Sequence, residues 1–312
     1  MRKELVAHLG AGLVLLGCAV APNARAEPIS IPGTSVAMAA PAGFTVAHDY
    51  TGLEHLETGS SILIAELPAE AYPELAELFA RADDLVARFA SQGVGITGTR
   101  ELAVDGARVP FAVGRQFAQG VEFAKYVAVF KGENTVLITF SIADSSGFSE
   151  SDAEAVVRSV TLARAPTIDE KLALLAFTFR AIAPFRASDV LAGNAVMLTT
   201  FDGTDPSGMK PVVVLAQAPT TARPGDESKL AEHFLRRMSD FADARIEEQA
   251  PTTFAGGRGH FIAAVFEART VLQYLRVLPD GTYVRLVSRG ETNAMESAAA
   301  AIIEIANSVQ LK

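Results

Sequence analysis

Hydrophobic residues recur at helical spacing in two segments, one in each half of the chain. In the segment ELAELFARADDLVARF (residues 74–89), apolar residues stand at positions 75, 78, 79, 82, 85, 86 and 89. This three-or-four spacing is typical of a helix with one buried face. The segment KLAEHFLRRMSDFADA (residues 229–244) repeats Leu, Ala, Glu, Phe and Arg at the same relative positions. We therefore expect one long, half-buried helix in each half.

Short apolar runs that end at turn residues flank both helices and also occur as pairs. The matching pairs are SSILIAELP (60–68) with PVVVLAQAP (211–219), DGARVPFAVGRQF (105–117) with GGRGHFIAAVFEA (256–268), and YVAVFKGENTVLITF (126–140) with YLRVLPDGTYVRLVS (274–288). The last pair has turn residues at 131–134 and 279–281, which is the pattern of a β-hairpin. The glycine-rich AGGRGHF (255–261) predicts a turn that leads into a strand.

A third kind of match closes each half of the chain. AEAVVRSVTL (153–162) and AIIEIANSVQL (301–311) are both apolar helical runs that end in Ser-Val-x-Leu. Matched elements in the same order at a near-constant offset indicate an internal duplication. The pattern predicts that each unit consists of two strands, a long helix, three strands and a closing helix. We therefore predict an α+β fold of two tandem α/β/α sandwich units, each a mainly antiparallel sheet covered by helices.

The joint between the units is ARAPTIDE (163–170), so we predict domains at residues 27–165 and 166–312. Thr167 and Glu170 have capping-box spacing, which predicts a short helix that only the second unit has. The first two strands of unit one are assigned to FTVAHDY (44–50) and SSILIAEL (60–67). Those of unit two are assigned to FRASDVL (185–191) and AVMLTTF (195–201).

The start of the first unit resembles a known family. ISIPGTSVAMAAPAGFTVA (29–47), which is a short apolar strand followed by Pro-x-Gly-Phe, together with ILIAELP and the two helices, is similar to the PsbP-like superfamily. This resemblance implies one copy of an α/β/α sandwich in each half, and a role as a binding or assembly module rather than an enzyme. Unit two departs from the motif, because Ala183-Pro184-Phe185 stands where unit one has Pro41-Ala42-Gly43-Phe44.

The N-terminus predicts export. Residues 1–26 hold a short basic start, a mostly apolar stretch and a small-x-small site that ends at Ala26, which is the pattern of a cleaved signal peptide. The expected location is the periplasm or the exterior. An alternative is a membrane-anchored lipoprotein, because Gly17-Cys18 resembles a lipidation site. We expect no transmembrane span in the mature chain.

Composition and charge narrow the range of partners. The 312-residue chain has a formal net charge of −9, and removal of residues 1–26 takes away three basic residues and one acidic residue, which gives −11. An acidic chain gains nothing from the release of phosphate counterions, so a nucleic-acid partner is not expected. Cys18 is the only cysteine, so disulfides and cysteine-based metal sites are not expected either.

Candidate chemistry is sparse. No Gly-x-Ser-x-Gly or phosphate-loop motif occurs. His48 and His55 flank a bend that could bring them together as metal ligands, whereas the other interpretation is a solvated polar hairpin. Arg108 and Arg258 occupy matching positions, where each could pair with a carboxylate of the preceding helix or bind an anion.

These observations predict a periplasmic accessory or binding protein that is not an enzyme. We expect it to use no cofactor and to bind an unidentified protein or small molecule of the cell envelope. Two alternatives stay open. One is a metal-dependent or unfamiliar enzyme that uses His48 and His55, and the other is a lipid-anchored envelope component attached through Cys18.

Overall fold

Each half of the chain forms one seven-stranded sheet with helices on both faces. The computed structural model describes residues 28–118, 120–203 and 205–312. The elements of the first half are β1 (Pro28–Ser30), β2 (Val36–Ala39), β3 (Thr45–Val46), β4 (Gly52–His55), β5 (Ser60–Leu67), α1 (Ala71–Ala80), α2 (Ala82–Ala90), β6 (Val94–Val104), β7 (Ala107–Ala118), β8 (Val121–Lys131), β9 (Thr135–Ala143), α3 (Glu150–Ser159) and β10 (Thr161–Leu162).

The second half follows the same plan with one added helix. Its elements are α4 (Ile168–Leu174), β11 (Phe177–Thr178), β12 (Arg186–Leu191), β13 (Ala195–Thr199), β14 (Val212–Pro219), α5 (Glu227–Arg237), β15 (Arg245–Phe254), β16 (Gly257–Phe266), β17 (Arg269–Val277), β18 (Thr282–Glu291), α6 (Thr292–Ser308) and β19 (Gln310–Leu311). Short 3₁₀ helices lie at Asp144–Ser146 and Ser239–Phe241.

The two large sheets have the same strand order. The first sheet runs β3-β4-β5-β9-β8-β7-β6, and the second runs β12-β13-β14-β18-β17-β16-β15. All their neighbouring strands pair antiparallel. The α+β class with two sheet units is therefore confirmed, and so are the hairpins at residues 131–134 and 279–281.

Two details of the expected element order were wrong. Each unit has four strands after its first helical segment, because the edge strands β6 and β15 were not recognised. In unit one, β4 lies between the two strands that we expected to be neighbours.

Helices cover both faces of each sheet, so the sandwich layers are as expected. In unit one, α3 packs Val156 and Val157 against the face that carries Phe111 and Phe140. The opposite face packs against α1 and α2, through Phe79 among others. In unit two, α6 and α5 take the corresponding faces. Burial of these apolar faces is the main driving force for each layer.

The expected long helix is interrupted in both units. Residues 71–90 form two helices that meet at Arg81, whose φ of −104° and ψ of 87° are not helical. No glycine or proline marks this break, and the apolar spacing continues through it, which is why the sequence indicates one helix. In unit two, α5 ends at Arg237, and a short 3₁₀ helix follows.

The repeated Ser-Val-x-Leu motif has the same structure in both halves. Ser159 ends α3 and donates its hydroxyl to the carbonyl of Val156 at 2.6 Å, and Ser308 ends α6 and donates to Ile305 at 2.7 Å. The residues that follow form the two-residue strands β10 and β19, which pair with β2 and β11.

The short helix specific to the second unit is also present. In α4, the Thr167 hydroxyl accepts the N–H of Glu170 at 3.3 Å, and the Glu170 carboxylate accepts the N–H of Thr167 at 2.7 Å. This reciprocal pair is the capping box that the sequence predicts. Its neighbour Lys171 lies 3.7 Å from Glu66 of unit one and 3.8 Å from Asp189 of unit two.

Candidate functional site

The structure places the two candidate histidines in different pockets. His48 follows β3 and lines a small pocket between the two units, with a volume of about 170 Å³. His55 ends β4 and lines a larger pocket of about 550 Å³ that belongs wholly to unit one. The bend between them therefore does not bring the two imidazoles together into one site.

The larger pocket is built on the Pro-x-Gly-Phe motif. The N–H of Phe44 donates to the carbonyl of Pro41 at 3.1 Å, which closes a β-turn. Gly43 at the third position has φ of +79°, a value that glycine adopts without steric cost. A Cβ at Gly43 would lie 2.5 Å from Nε2 of His55, so the turn also needs glycine to let the imidazole approach.

Aromatic side chains hold the His55 ring. Phe44 meets it edge-on, with ring centroids 5.3 Å apart and an interplanar angle of 78°. Phe148, from the loop that precedes α3, contacts Phe44 at a centroid distance of 5.9 Å. Such edge-to-face and tilted contacts are favourable arrangements for aromatic rings. They fix the orientation of the imidazole in the pocket.

The His55 imidazole keeps an unused hydrogen-bonding atom. Its Nδ1 is buried and has no hydrogen-bond partner among the described residues. Buried polar atoms are nearly always paired, and an unpaired one costs free energy. Because this atom has almost no exposed surface, a ligand in the pocket reaches it only if the imidazole ring turns.

The remaining walls are mainly apolar and come from three further parts of unit one. They are Ala39 and Ala40 at the end of β2, Ala155 and Val156 on α3, and the loop of residues 146–148. Asp152 and Arg158 stand at the rim and carry opposite charges. The Ser149 hydroxyl and N–H, which bond to the Asp152 carboxylate, lower its pKa, so this rim charge persists to acidic pH. We call this feature the His55 pocket.

Unit two has no counterpart of the glycine turn. There the N–H of Phe185 donates to the carbonyl of Ile182 at 2.9 Å, and the peptide bond between Ala183 and Pro184 is cis. Phe185 is buried in the core as Phe44 is, so the turn keeps its anchoring role. The glycine that admits a histidine side chain is missing.

The pocket between the units is small because the two units of the chain meet there directly. The N–H of Thr51 donates to the carbonyl of Ala192 at 2.9 Å, and the Asn194 amide donates to the carbonyl of Asp49 at 2.7 Å. Tyr50 lines this pocket, and burial, reinforced by the charge of Glu54, raises its pKa to about 12. Its hydroxyl stays protonated and donates to Leu53 at 2.9 Å.

The matched arginines differ in their surroundings. Arg108 forms an ion pair with Glu101 at 3.0 Å, and both side chains are exposed. Glu101 lies on the neighbouring strand β6, not on the preceding helix as we expected. Arg258 is exposed at the start of β16 and has no ion pair with a described residue. An exposed pair of this kind contributes little to stability.

Metal ligation finds no support in the part of the chain that the structure describes. Within residues 28–118, 120–203 and 205–312, no group of three or more His, Cys, Asp or Glu residues is placed to hold a metal ion. Cys18 and the rest of the predicted signal peptide lie outside the described residues.

The sequence singled out His55 as a candidate, but it did not indicate the residues from other segments that line the same pocket. Phe148 and Ala155 are far from His55 in the sequence, and their apolar character indicates only a core or helix position. The one signal in the sequence was the Pro-x-Gly-Phe motif. Glycine at such a position indicates either a positive φ or a close contact that a Cβ would prevent.

Comparisons with known proteins find only solved structures of low similarity. No protein-family model matches the chain, and no curated protein matches it in sequence. The chain is similar to LpqN of Mycobacterium tuberculosis, which is involved in cell envelope biogenesis, with 14% identity and a TM-score of 0.36 over 44% of this chain and 83% of that chain. It is also similar to cyanobacterial PsbP from Synechocystis, with 12% identity and a TM-score of 0.33 over 44% of this chain and 87% of that one.

A third likeness spans most of the chain. The immunity protein TplEi of Pseudomonas aeruginosa is 12% identical with a TM-score of 0.32, over 92% of this chain and 99% of that chain. These TM-scores are low, so the likenesses carry no argument about family or function. The PsbP-like resemblance of the sequence stays a prediction.

Proposed function

We propose that this chain is an exported, non-enzymatic binding protein whose first unit takes up a small, neutral, mainly apolar molecule in the His55 pocket. The observation that carries the proposal is the pocket itself, which has mainly apolar walls and the imidazole of His55 in its lining. A bound molecule covers these walls and the half-buried ring of Phe148.

The size and the walls of the pocket support a small-molecule ligand. Its volume of about 550 Å³ falls within the usual range for small-molecule sites, about 300–1,000 Å³. Such sites are typically apolar, with a few polar groups that fix the orientation of the ligand. The imidazole of His55 is such a group here, because Phe44 holds its ring in place.

The charges around the pocket support a neutral ligand. Asp152 and Arg158 at the rim have opposite signs, so the rim attracts neither anions nor cations as a whole. The Arg158 guanidinium already pairs with Glu154 at 2.5 Å. An ionic ligand would lose its hydration without gaining a compensating partner.

A neutral fluorescent probe tests this proposal. N-phenyl-1-naphthylamine, which is apolar and carries one N–H group, is titrated into the purified mature chain while its fluorescence is recorded. We expect saturable binding to one site per chain. Ala155→Phe places a large side chain at an exposed pocket wall on α3 and should abolish the binding without disturbing the core.

The matched control is Ala87→Phe, which adds the same side chain to an exposed position of α2, away from the pocket. This variant should bind the probe as the parent chain does. Equal loss in both variants, or undiminished binding in Ala155→Phe, would show that the probe binds elsewhere and would contradict the proposal.

Export is proposed from the N-terminal sequence alone. Within the described ranges, no helix has the length and apolar character that a membrane crossing requires. The mass of the protein released from its own cells distinguishes a chain that starts at Glu27 from one that starts at an acylated Cys18. If Cys18→Ala releases the protein from the envelope, the lipoprotein alternative replaces the periplasmic one.

We also propose that residues 27–165 and 166–312 are two domains that arose by duplication. What supports this division is that, among the described residues, each pair of hydrogen-bonded strands joins elements from the same side of residue 165. The identical strand order of the two large sheets supports the common origin. Because the His55 pocket lies wholly in unit one, unit two is then free to bind a different ligand.

A further inference from the structure

A second pocket lies on the outer face of the unit-two sheet. Helix α5 covers the strands β16 and β17 on this face, whereas β13, β14 and β18 are left open beside it. The pocket there has a volume of about 510 Å³ and is bordered by β13, β14 and β18, and by Phe201, Gly203, Asp205, Gly208 and Lys210. We call it the Arg285 pocket.

Arg285 on β18 is the central charged group of this pocket. Its Nε donates to Oε1 of Gln273 at 2.7 Å, and its guanidinium lies over the ring of Phe234, 4.8 Å from the centroid. Gln273 is buried and donates its own amide to the carbonyl of Ala231 on α5 at 2.8 Å. The amide orientation is thereby fixed, and Gln273 holds the guanidinium in one position.

Most of the donors of this guanidinium have no oxygen acceptor. An arginine has five N–H donors, and Nε of Arg285 uses one of them. Across residues 28–118, 120–203 and 205–312, the only other acceptor in reach is the Met238 sulfur, 3.4 Å from Nη2, which is a weak one. No carboxylate of those residues lies within ion-pair distance of Arg285, and burial lowers its pKa to about 10.

The first unit shows that the fold does not require a charged residue at the position of Arg285. Ala65 lies opposite Leu137 in the first sheet, and the matching Ala216 lies opposite Arg285 in the second. The same register places Gln273 where unit one has Val127.

Leu137 and Val127 pack beneath α1 and α2 as part of an apolar cluster. The fold is therefore complete with two apolar residues. Burying a cation instead is costly unless an anion compensates it.

Further cations stand at the mouth of the pocket. The ammonium of Lys210 lies 4.9 Å from the ring centroid of Phe201, and Arg289 lies 3.4 Å from Asp240. The one carboxylate of the lining, Asp205, is engaged by the Ser207 hydroxyl and by the N–H of Lys210. Lys210, Arg285 and Arg289 together outnumber the two carboxylates Asp205 and Asp240, so the pocket has a small positive excess, whereas the whole chain has a net charge of −9.

Apart from Thr199, the other side chains of the wall are apolar. They are those of Met197, Phe201, Val212, Val214, Met238 and Val287. A ligand that matches this surface has a compact anionic head for the guanidinium and an apolar tail for the wall. Charge-assisted hydrogen bonds from a guanidinium to a carboxylate are among the strongest in proteins.

We propose that the Arg285 pocket binds a small amphiphilic anion, a carboxylate with a short apolar chain, whose head pairs with Arg285. The site is separate from the His55 pocket and does not depend on it. Unit one lacks the site because Leu137 and Val127 occupy the corresponding positions.

Octanoate tests the proposal, with 1-octanol as a neutral molecule of the same chain length. Binding to the full mature chain is measured by calorimetry or by nuclear magnetic resonance titration. We expect octanoate to bind one site and 1-octanol to bind at least about tenfold more weakly, because it cannot form a charge-assisted bond with Arg285.

The double variant Arg285→Leu/Gln273→Val restores the apolar pair of unit one. It should fold at least as stably as the parent, because apolar residues can replace a buried polar network without loss. Its octanoate affinity should fall at least about tenfold. Lys210→Gln, at the exposed mouth, should weaken binding by a smaller factor.

Arg258→Gln is the matched control, because it removes one exposed positive charge from β16 outside the pocket. It should leave octanoate binding unchanged, as should Ala155→Phe in the His55 pocket. Equal affinity for octanoate and 1-octanol would overturn the proposal, and so would undiminished binding in the double variant.

Two further results would overturn it. One is displacement of octanoate by an equal concentration of inorganic phosphate, which would show a plain anion site with no role for the apolar wall. The other is binding to vesicles of anionic phospholipid without binding of free octanoate, which would show a membrane-surface site instead.

Discussion

Replacement of Gly43 by alanine tests how the His55 pocket is built. The residue combines a φ of +79° with a close approach to His55, where a Cβ would lie 2.5 Å from Nε2. The left-handed backbone costs an L-residue about 1–2 kcal/mol. Phe44 packs against the imidazole at 5.3 Å and blocks movement on that side, whereas the pocket leaves room on the other. The overpacking therefore adds about 1 kcal/mol, at the low end of the usual range.

Gly59→Ala separates the two terms. Gly59 has a similar φ of +69°, but nothing lies within 4 Å of a Cβ placed there. This control should lose only the backbone term of about 1–2 kcal/mol. The difference between Gly43→Ala and Gly59→Ala then measures the contact with His55.

A double-mutant cycle completes the test. In a His55→Ala background, Gly43→Ala should cost no more than Gly59→Ala, since the atom that it would meet is gone. The free energy of unfolding is measured in urea by circular dichroism, because the chain has no tryptophan. Equal costs of Gly43→Ala with and without His55 would refute the proposed packing.

Three further predictions concern the closing motif, the cap of α4 and the contact between the units. Ser159→Ala should lower the free energy of unfolding in urea by about 1 kcal/mol, because the partly buried N–H of Ala39 loses the hydroxyl that accepts it at 2.9 Å. Ser308→Ala should lower it by less, because the hydrogen bond that the Ser308 hydroxyl accepts is exposed. Arg164 and the capping box of Thr167 lower the pKa of Glu170 from its ordinary value of 4.5 to about 2, so its stabilising effect is present above about pH 4.5 and is lost as the pH falls towards 2. Glu170→Gln should therefore be less stable than the parent in thermal unfolding at pH 6 and equal to it near pH 2; a constant difference would contradict this cause. Gly193→Ala should destabilise the contact between the units, because a Cβ would lie 2.5 Å from the Thr51 hydroxyl. Adding Thr51→Ala to this variant should partly restore the stability measured by calorimetry, and the absence of any rescue would disprove the contact.

The fold was predictable where the buried pattern is strong. Strands such as β5 and β14 are nearly continuous apolar runs, and the Ser-Val-x-Leu endings mark the closing helices in both units. The edge strands β6 and β15 were missed for a physical reason. Each pairs on one side only, so its residues are mostly exposed or half-buried, and their glycine, proline and glutamate content is typical of loops.

The candidate sites were less predictable, because they depend on contacts between distant segments. His55 was identified by residue type, but Phe148 and Ala155 join it only through the packing of α3. Arg285 stands in an alternating strand with Tyr283, Val287 and Arg289, a pattern that resembles a solvated face. Only the structure shows that Arg285 rests against Phe234 of α5 and lines a pocket beside that helix.

The most direct test of ligand binding in the His55 pocket is a nuclear magnetic resonance titration of histidine-labelled protein with N-phenyl-1-naphthylamine. The imidazole nitrogen signals of His55 should shift and saturate with the fluorescence, while those of His48, in the separate pocket between the units, should stay in place. Saturable binding of the probe with no change at His55 would contradict the proposed site.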